Sequence, residues 1–340
     1  LGNSIIDFKS DFEIFSQYPE ILDLIIEERK YLFEYDLIRS LIIVIFCSVI
    51  LYLFIKNLLN SNLTIFLLTV VLLFDLWGVN KTYVSSDQFV SKSSVLSPFK
   101  KSISDEAILR DDSDFRVYEP QRGFSNGRTS YFHKSISGYH AAKPKRIQNL
   151  YDFYIVNNNM KILSLLNVKY LIKNSEDNPL GVTRNPNNFG NAWFIKNTLV
   201  VDNADQELIL LDSVDLSSTC LTQNSKLSNL KFTLNSKDSI KLVSRKANEL
   251  IYKSSTSSKQ FAVFSEAYYK NGWQAFIDGK KVNHFKVNYL LRGIFIPEGD
   301  REIVFKFNPQ VIKTGTYISL FSYILLIAFT LKFITVKRNV

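Results

Sequence analysis

The sequence predicts a membrane α-helical protein that also carries an extracytoplasmic α/β subdomain and a jelly-roll-like β-sandwich. The whole is expected to be a fragment of a larger polytopic protein. Three observations carry this reading. Three apolar runs are free of charge over most of a bilayer's width. The long stretch between the second and third mixes helical with strand periodicity. Its later part alternates apolar and polar positions between tight-turn signals.

Residues 1–37 are expected to form an extracytoplasmic amphipathic helical segment. In "EILDLIIEERKYLFEYDLIRS", Ile21, Leu24 and Ile25 share one helical face and Glu27 and Glu28 lie opposite. The helix then runs into the membrane. Residues 38–80 hold two expected transmembrane helices. "SLIIVIFCSVILYLFI", Ser40 to Ile55, is bounded by Arg39 and Lys56, whose long stems let their charges reach the headgroups. "LTIFLLTVVLLF", Leu63 to Phe74, ends at Asp75, Trp77 and Lys81. Residues 314–340 give the third helix and a basic tail: "TGTYISLFSYILLIAFTL" is uncharged from Thr314 to Leu331, and Lys332, Lys337 and Arg338 follow. Basic residues after a span favour the cytoplasmic side. This puts the C-terminus inside and residues 81–313 outside.

Charge is unevenly spread. Residues 1–39 carry four basic and nine acidic side chains, whereas residues 81–313 carry 33 basic and 22 acidic ones. A basic region beside a membrane suits anionic lipid or phosphate-polymer partners, or simply keeps the domain soluble. Nucleic acid is not expected as a partner. The two cysteines are Cys47, in an apolar run, and Cys220, so the soluble part is expected to fold without a disulfide. The chain starts at Leu1 and has one methionine, Met160, which suits a fragment or processed product.

The external region is expected to divide near residue 212. In 81–212, the α/β subdomain, "FRVYE" and "VKYLIK" read as strands. "PKRIQNLYDFYIVNNNMKILSLLN" reads as two helices broken at Asn157–Asn159, with Pro144 in the first turn. "AWFIKNTLVV" reads as one strand and "ADQELILLD" as a short helix. Residues 213–313 read as the sandwich. "REIVFKF" alternates, and "AFIDGKKV" signals a hairpin, since Asp278-Gly279 supplies the two positive φ angles of a type I′ turn. "SSTSS", Ser254 to Ser258, reads as a loop. Tyr268, Tyr269 and Trp273 beside that hairpin belong to the scaffold, with at least one tyrosine facing inward.

The densest polar cluster is "GRTSYFHKSISGYHAAKPKR". Arg128, Tyr131, His133, Tyr139, His140, Lys143, Lys145 and Arg146 suit a surface for an anionic, sugar-bearing ligand: cations grip phosphate while tyrosine stacks on a sugar. A solvated loop capping the domain is the other reading. Asp75 and Trp77 are expected at the membrane interface, with Asp75 shallow rather than deep in the span. "RDDSD", Arg110 to Asp114, reads as a solvated loop, and Arg292 within "NYLLRGIF" as an outward-facing strand residue. His133 and His140 lack the further ligands a metal needs, so no metal site is expected. No nucleophile elbow, zincin, Walker or dinucleotide motif is present. No cofactor is identified and no catalytic residue is assigned.

In order along the chain, "LLFDLWGVNKTYV", "GRTSYFHKSISGYHAAK", "LLNVKYLI", "NAWFI" and "AYYKNGWQAFIDGKKVNHFKVNYLLRGIFIPEGDREIVFKFNP" resemble bacterial YfhO-type membrane proteins. The resemblance covers most of residues 20–340 and lies in the ordered set rather than in one motif. It implies a many-spanning relative of GT-C glycosyltransferases. The implied reaction moves a sugar from a polyprenyl-phosphate carrier to a cell-envelope acceptor. The key acidic residue of such enzymes sits in a first external loop, which this sequence does not contain. The resemblance therefore implies a C-terminal portion that positions acceptor or carrier, working with N-terminal spans of the parent. A non-catalytic module binding envelope glycan or anionic polymer is the alternative.

Overall fold

The computed structural model describes residues 19–139, 142–173 and 181–338, so the expectations for residues 1–18 and for His140 fall outside the described residues. The chain divides into two compact units, one up to Pro98 and one from Phe99 onward.

In the first unit the expected amphipathic segment and first span form one unbroken helix, α1 (Pro19–Ile55). A tight turn follows, with Asn57 at φ +58°. Asn60 then caps α2 (Ser61–Tyr83): its side chain accepts the Leu63 N–H at 2.8 Å. Both helices are long and apolar enough to cross a membrane. Their apolar side chains stay largely exposed, as Leu41, Phe46, Phe66 and Leu73 show. Such surface is stable when hydrocarbon is the solvent, because a helix satisfies its own backbone. A short helix, α3 (Lys92–Leu96), follows α2.

The second unit opens with α4 (Ile103–Ile108), held by a capping box between Ser102 and Asp105. A small sheet joins β1 (Arg116–Tyr118), β2 (Val168–Ile172) and β3 (Val182–Arg184), with β1 parallel to β2 and β3 antiparallel. Between β1 and β2 come α5 (Arg128–Phe132), α6 (Lys145–Leu150, continued by a wider turn to Ile155) and α7 (Met160–Leu165). The expected helix break falls at Asn158, at φ +55°, and Asn159, which caps α7.

Two antiparallel sheets follow. One has the order β11-β10-β14-β8-β7 and the other β12-β13-β9-β4. Their strands are β4 (Ala192–Phe194), β7 (Ser239–Lys246), β8 (Glu249–Thr256), β9 (Gln260–Ala267), β10 (Trp273–Ile277), β11 (Lys280–Val282), β12 (Phe285–Val287), β13 (Leu291–Ile296) and β14 (Gly299–Phe307). A short parallel pair, β5 (Asn197–Val200) and β6 (Thr219–Thr222), flanks α8 (Ala204–Ser213). The chain ends in α9 (Gln310–Arg338), whose apolar side chains from Val311 to Leu331 are exposed like those of α1 and α2.

Strand alternation builds two cores from one sheet. Ala262 and Phe264 of β9 point into a core shared with Tyr252, Ile303 and Phe305 of the opposite sheet. Phe261 and Val263 point the other way, into a core with Leu150, Ile162, Leu208 and Leu221. Helices thus cover the outer face of the smaller sheet. A third, small cluster joins Ile108, Val117 and Ile172.

Two sequence expectations are corrected. "AWFIKNTLVV" is not one strand: Ala192–Phe194 pairs with β9, whereas Asn197–Val200 pairs with β6. Ile195 and Lys196 turn the chain by donating to Phe261 O and Ser218 O, which lie on different elements. "SSTSS" is not a loop through its first three residues. Ser254, Ser255 and Thr256 complete β8, paired with Arg301, Asp300 and Gly299. Ladder partners on both sides outweigh the weak intrinsic preference of serine for turns. The Asp278-Gly279 hairpin is as expected, with φ of +49° and +77°. Asp278 also accepts the Glu302 N–H and a bond from Arg301, both at 3.0 Å, which ties the hairpin to β14.

Candidate functional site

The basic–aromatic segment folds into two sets of side chains. The first surrounds Asp105. This carboxylate accepts the Ser102 N–H at 2.7 Å as part of the α4 cap, and also receives Arg128 Nη2. His133 Nε2 lies 2.9 Å from its other oxygen. Burial alone would raise the acid's pKa, but the Ser102 N–H and Arg128 outweigh it and hold Asp105 at about 2. Arg128 further meets Glu119 at 3.7 Å and lies over the Phe132 ring at 5.3 Å. Arg128 and His133 are therefore engaged within the fold, joining α5 to α4. Tyr131 of the same helix is half exposed and meets Phe99 edge-on at 5.6 Å.

The second set lies at α6. Arg146 donates to Tyr289 O at 2.7 Å, stacks 4.4 Å over the Tyr289 ring and approaches Glu207 at 3.6 Å. Burial comes first among the influences on Glu207 and pushes its pKa up. Lys143 rests 4.8 Å over the Phe124 ring and reaches Gln148 Oε1 at 3.4 Å. Tyr139 is strongly exposed and Lys145 is exposed.

The same segment walls a half-enclosed cavity of about 190 Å³. Ser135 and Ile136 come from the segment, Phe124 and Ile147 flank it, and Arg116 and Ser265 add polar lining. Lys143 sits over one wall residue, Phe124, which adds a second cation beside a largely apolar cavity that Arg116 also lines. Sequence reasoning missed this cavity. The signal was present in the apolar residues Phe124, Ile136 and Ile147 interspersed in a polar stretch, but their convergence needs β13 and the turn before it, which supply Leu290 and Leu291.

Behind it lies a half-buried charge network that the sequence did not reveal. Glu266 Oε1 accepts Arg116 Nη2 at 2.9 Å and Arg245 Nη2 at 2.7 Å. Arg245 Nε also bonds Asp114 at 2.9 Å. Burial opposes ionisation of Glu266, yet the two arginines pull its pKa below the ordinary value. Arg292 is fully buried, correcting the outward expectation. It follows a register shift between Leu291 and Arg292 that accompanies the turn into β13. Its guanidinium sits between Trp273 at 4.6 Å and Phe305 at 4.8 Å, and donates to Ala267 O at 2.9 Å. Burial draws its pKa down to about 10. "RDDSD" is a loop as expected, with Arg110, Asp112 and Ser113 exposed, and it is tied down where Asp111 accepts from Tyr170 at 2.8 Å and Asp114 from Arg245. Before the Asp278-Gly279 hairpin, Tyr268 is half-buried against His284, while Tyr269 is exposed beside Phe307.

In the first unit Asp75 faces Arg39 of α1 at 3.5 Å, and Arg39 meets Asp36 at 2.9 Å. Trp77 is largely exposed. Arg39 precedes the end of α1 by 16 residues, about 24 Å along the axis. Among the described residues no group of three or more His, Cys, Asp or Glu side chains is gathered for a metal.

These features define a membrane protein class: three apolar helices long enough to span, joined to a sheet-rich C-terminal region. Residues 212–319 match the model of the family described as "Bacterial membrane protein YfhO", which supports a YfhO-type membrane protein over this region. The matched stretch takes in strands β6 to β14 and the start of α9. Comparison with curated proteins and with solved structures returned no match.

Proposed function

We propose that the chain is the C-terminal portion of a multi-pass envelope protein that transfers a sugar from a polyprenyl-phosphate carrier to a cell-envelope acceptor. In this reading the folded region positions acceptor or carrier, and the chemistry belongs to a loop elsewhere in the parent. The two antiparallel sheets are then a jelly-roll-like module on the outer face of the bacterial inner membrane. The observation that carries the reading is the half-enclosed cavity walled by the basic–aromatic segment. An apolar cavity with a cation at its wall suits an amphiphile that joins hydrocarbon to an anionic, sugar-bearing head. Tyr139 and Tyr131 offer ring faces for the sugar, and Lys143 the charge for phosphate. Arg146 and His140 complete the proposed ligand set with Arg128 and His133, the last two acting through Asp105 as positioning residues.

Deletion of the parent gene, followed by mass analysis of envelope glycans, tests the transfer. Loss of one sugar type supports it, and unchanged sugar content sinks it. Complementation with Lys143→Glu tests the positioning role, because among the described residues Lys143 meets the Phe124 ring and Gln148 rather than a carboxylate. Full complementation with intact folding removes phosphate from that place.

A second reading, a non-catalytic module binding envelope glycan or anionic polymer, is favoured by the self-contained pairing of Asp105 with Arg128 and His133. Binding of the intact chain to envelope polymer, with glycan composition unchanged on deletion, selects it.

A further inference from the structure

The stretch after α2 leaves large apolar side chains without cover. Tyr83 is 74% exposed, Val84 58%, Phe89 75%, Val90 63% and Val95 63%. Its polar groups, by contrast, bond to each other. Val84 N–H bonds Asn80 O, Phe89 N–H bonds Ser86 O and Val95 N–H bonds Ser91 O. The Ser91 hydroxyl meets those of Ser93 and Ser94 at 2.8 and 2.9 Å. A segment in water has no need to satisfy its backbone internally while exposing valine and phenylalanine. One lying against hydrocarbon must do the first and gains from the second.

We propose that residues 83–95 lie in the headgroup–hydrocarbon boundary of the bilayer that takes α2, as an interfacial anchor. Two observations select lipid over another protein surface. The apolar patch is continuous with the lipid-type surface of α2, which ends at Tyr83. The segment is flanked and interrupted by Lys81 and Lys92, placed to reach phosphate headgroups, with aromatic rings at both Tyr83 and Phe89. Phe89 and Val90 form the centre of the anchor, and Asp87 and Ser93 face the aqueous side.

The test uses spin labels on the full chain, with Cys47→Ser and Cys220→Ser as background, in vesicles of phosphatidylethanolamine and phosphatidylglycerol. Single cysteines replace Phe89, Val90, Val95, Asp87 and Ser93. Collisions with oxygen, which concentrates in hydrocarbon, are compared with collisions with a water-soluble nickel chelate. Oxygen should dominate at 89, 90 and 95, and the nickel complex at 87 and 93. Nickel dominance at all five positions overturns the proposal in favour of a water-exposed strap. Protection of 89, 90 and 95 from both reagents overturns it in favour of a protein contact, either a second copy or other spans. Near-ultraviolet circular dichroism matching the unlabelled chain shows that each variant is folded.

Discussion

At the scale of single residues, the second unit depends on how burial is compensated. Glu266 receives two arginines and lies close to a third, fully buried one. Glu266→Gln keeps the shape but removes the charge, leaving Arg116 and Arg245 facing a neutral group. A loss of about 3 kcal/mol is expected, since removing one partner strands the other in low dielectric; chemical denaturation of the folded variant measures it. His284 gives a pH signature. Burial, and then the Arg292 charge, lower its pKa from 6.5 to about 4. The unfolded chain takes up this proton near pH 6.5, and the folded chain resists it until about pH 4. Stability from this group is therefore complete above pH 6.5 and falls as pH drops towards 4. His284→Gln should flatten the denaturation midpoint across that window, and an unchanged slope would refute the assignment. Neither effect was legible in the sequence, because Arg116, Arg245 and Arg292, which act on Glu266 and His284, lie elsewhere in the chain.

At the scale of elements, glycine and ion pairing set two close approaches. A Cβ built on Gly293 of β13 would meet Phe261 Cε1 at 2.4 Å, because the ring lies across the glycine from the neighbouring strand. Gly293→Val should cost about 2 kcal/mol by overpacking, read as a lower denaturation midpoint. Between the apolar helices, Arg39 and Asp75 hold α1 to α2. Asp75→Leu leaves Arg39 with Asp36 alone and should lower the melting temperature in detergent. Arg39→Leu with Asp75→Leu should recover part of the loss, since no unpaired charge remains. Element positions were largely legible. Spans, the Asp-Gly hairpin and the Asn159 helix break follow from local chemistry. The ends of β8 and the split of "AWFIKNTLVV" were not, because each depends on which strands lie alongside.

At the scale of the whole molecule, the strands after residue 212 do not close on themselves. β4 supplies the edge of the smaller sheet and β5 pairs with β6, and both precede that point. A chain beginning at residue 213 is therefore expected to lose cooperative unfolding. A chain beginning at Phe99 should keep it, as thermal melts of the two would show. The cavity and the half-buried charge network share this dependence: Asp114 and Arg116 lie far in sequence from Arg245 and Glu266, yet meet them within hydrogen-bond distance.

The sequence by itself determined the three apolar helices, the sheet-rich region and its strongest turns, because hydrophobic run length and backbone preference act over a few residues. It also carries the match of residues 212–319 to the YfhO family model. Only the tertiary structure decided which charges are spent inside the fold, which strands share an edge and where the cavity lies. Those outcomes rest on contacts between residues up to 150 positions apart, such as Arg116 with Glu266, which no local pattern encodes.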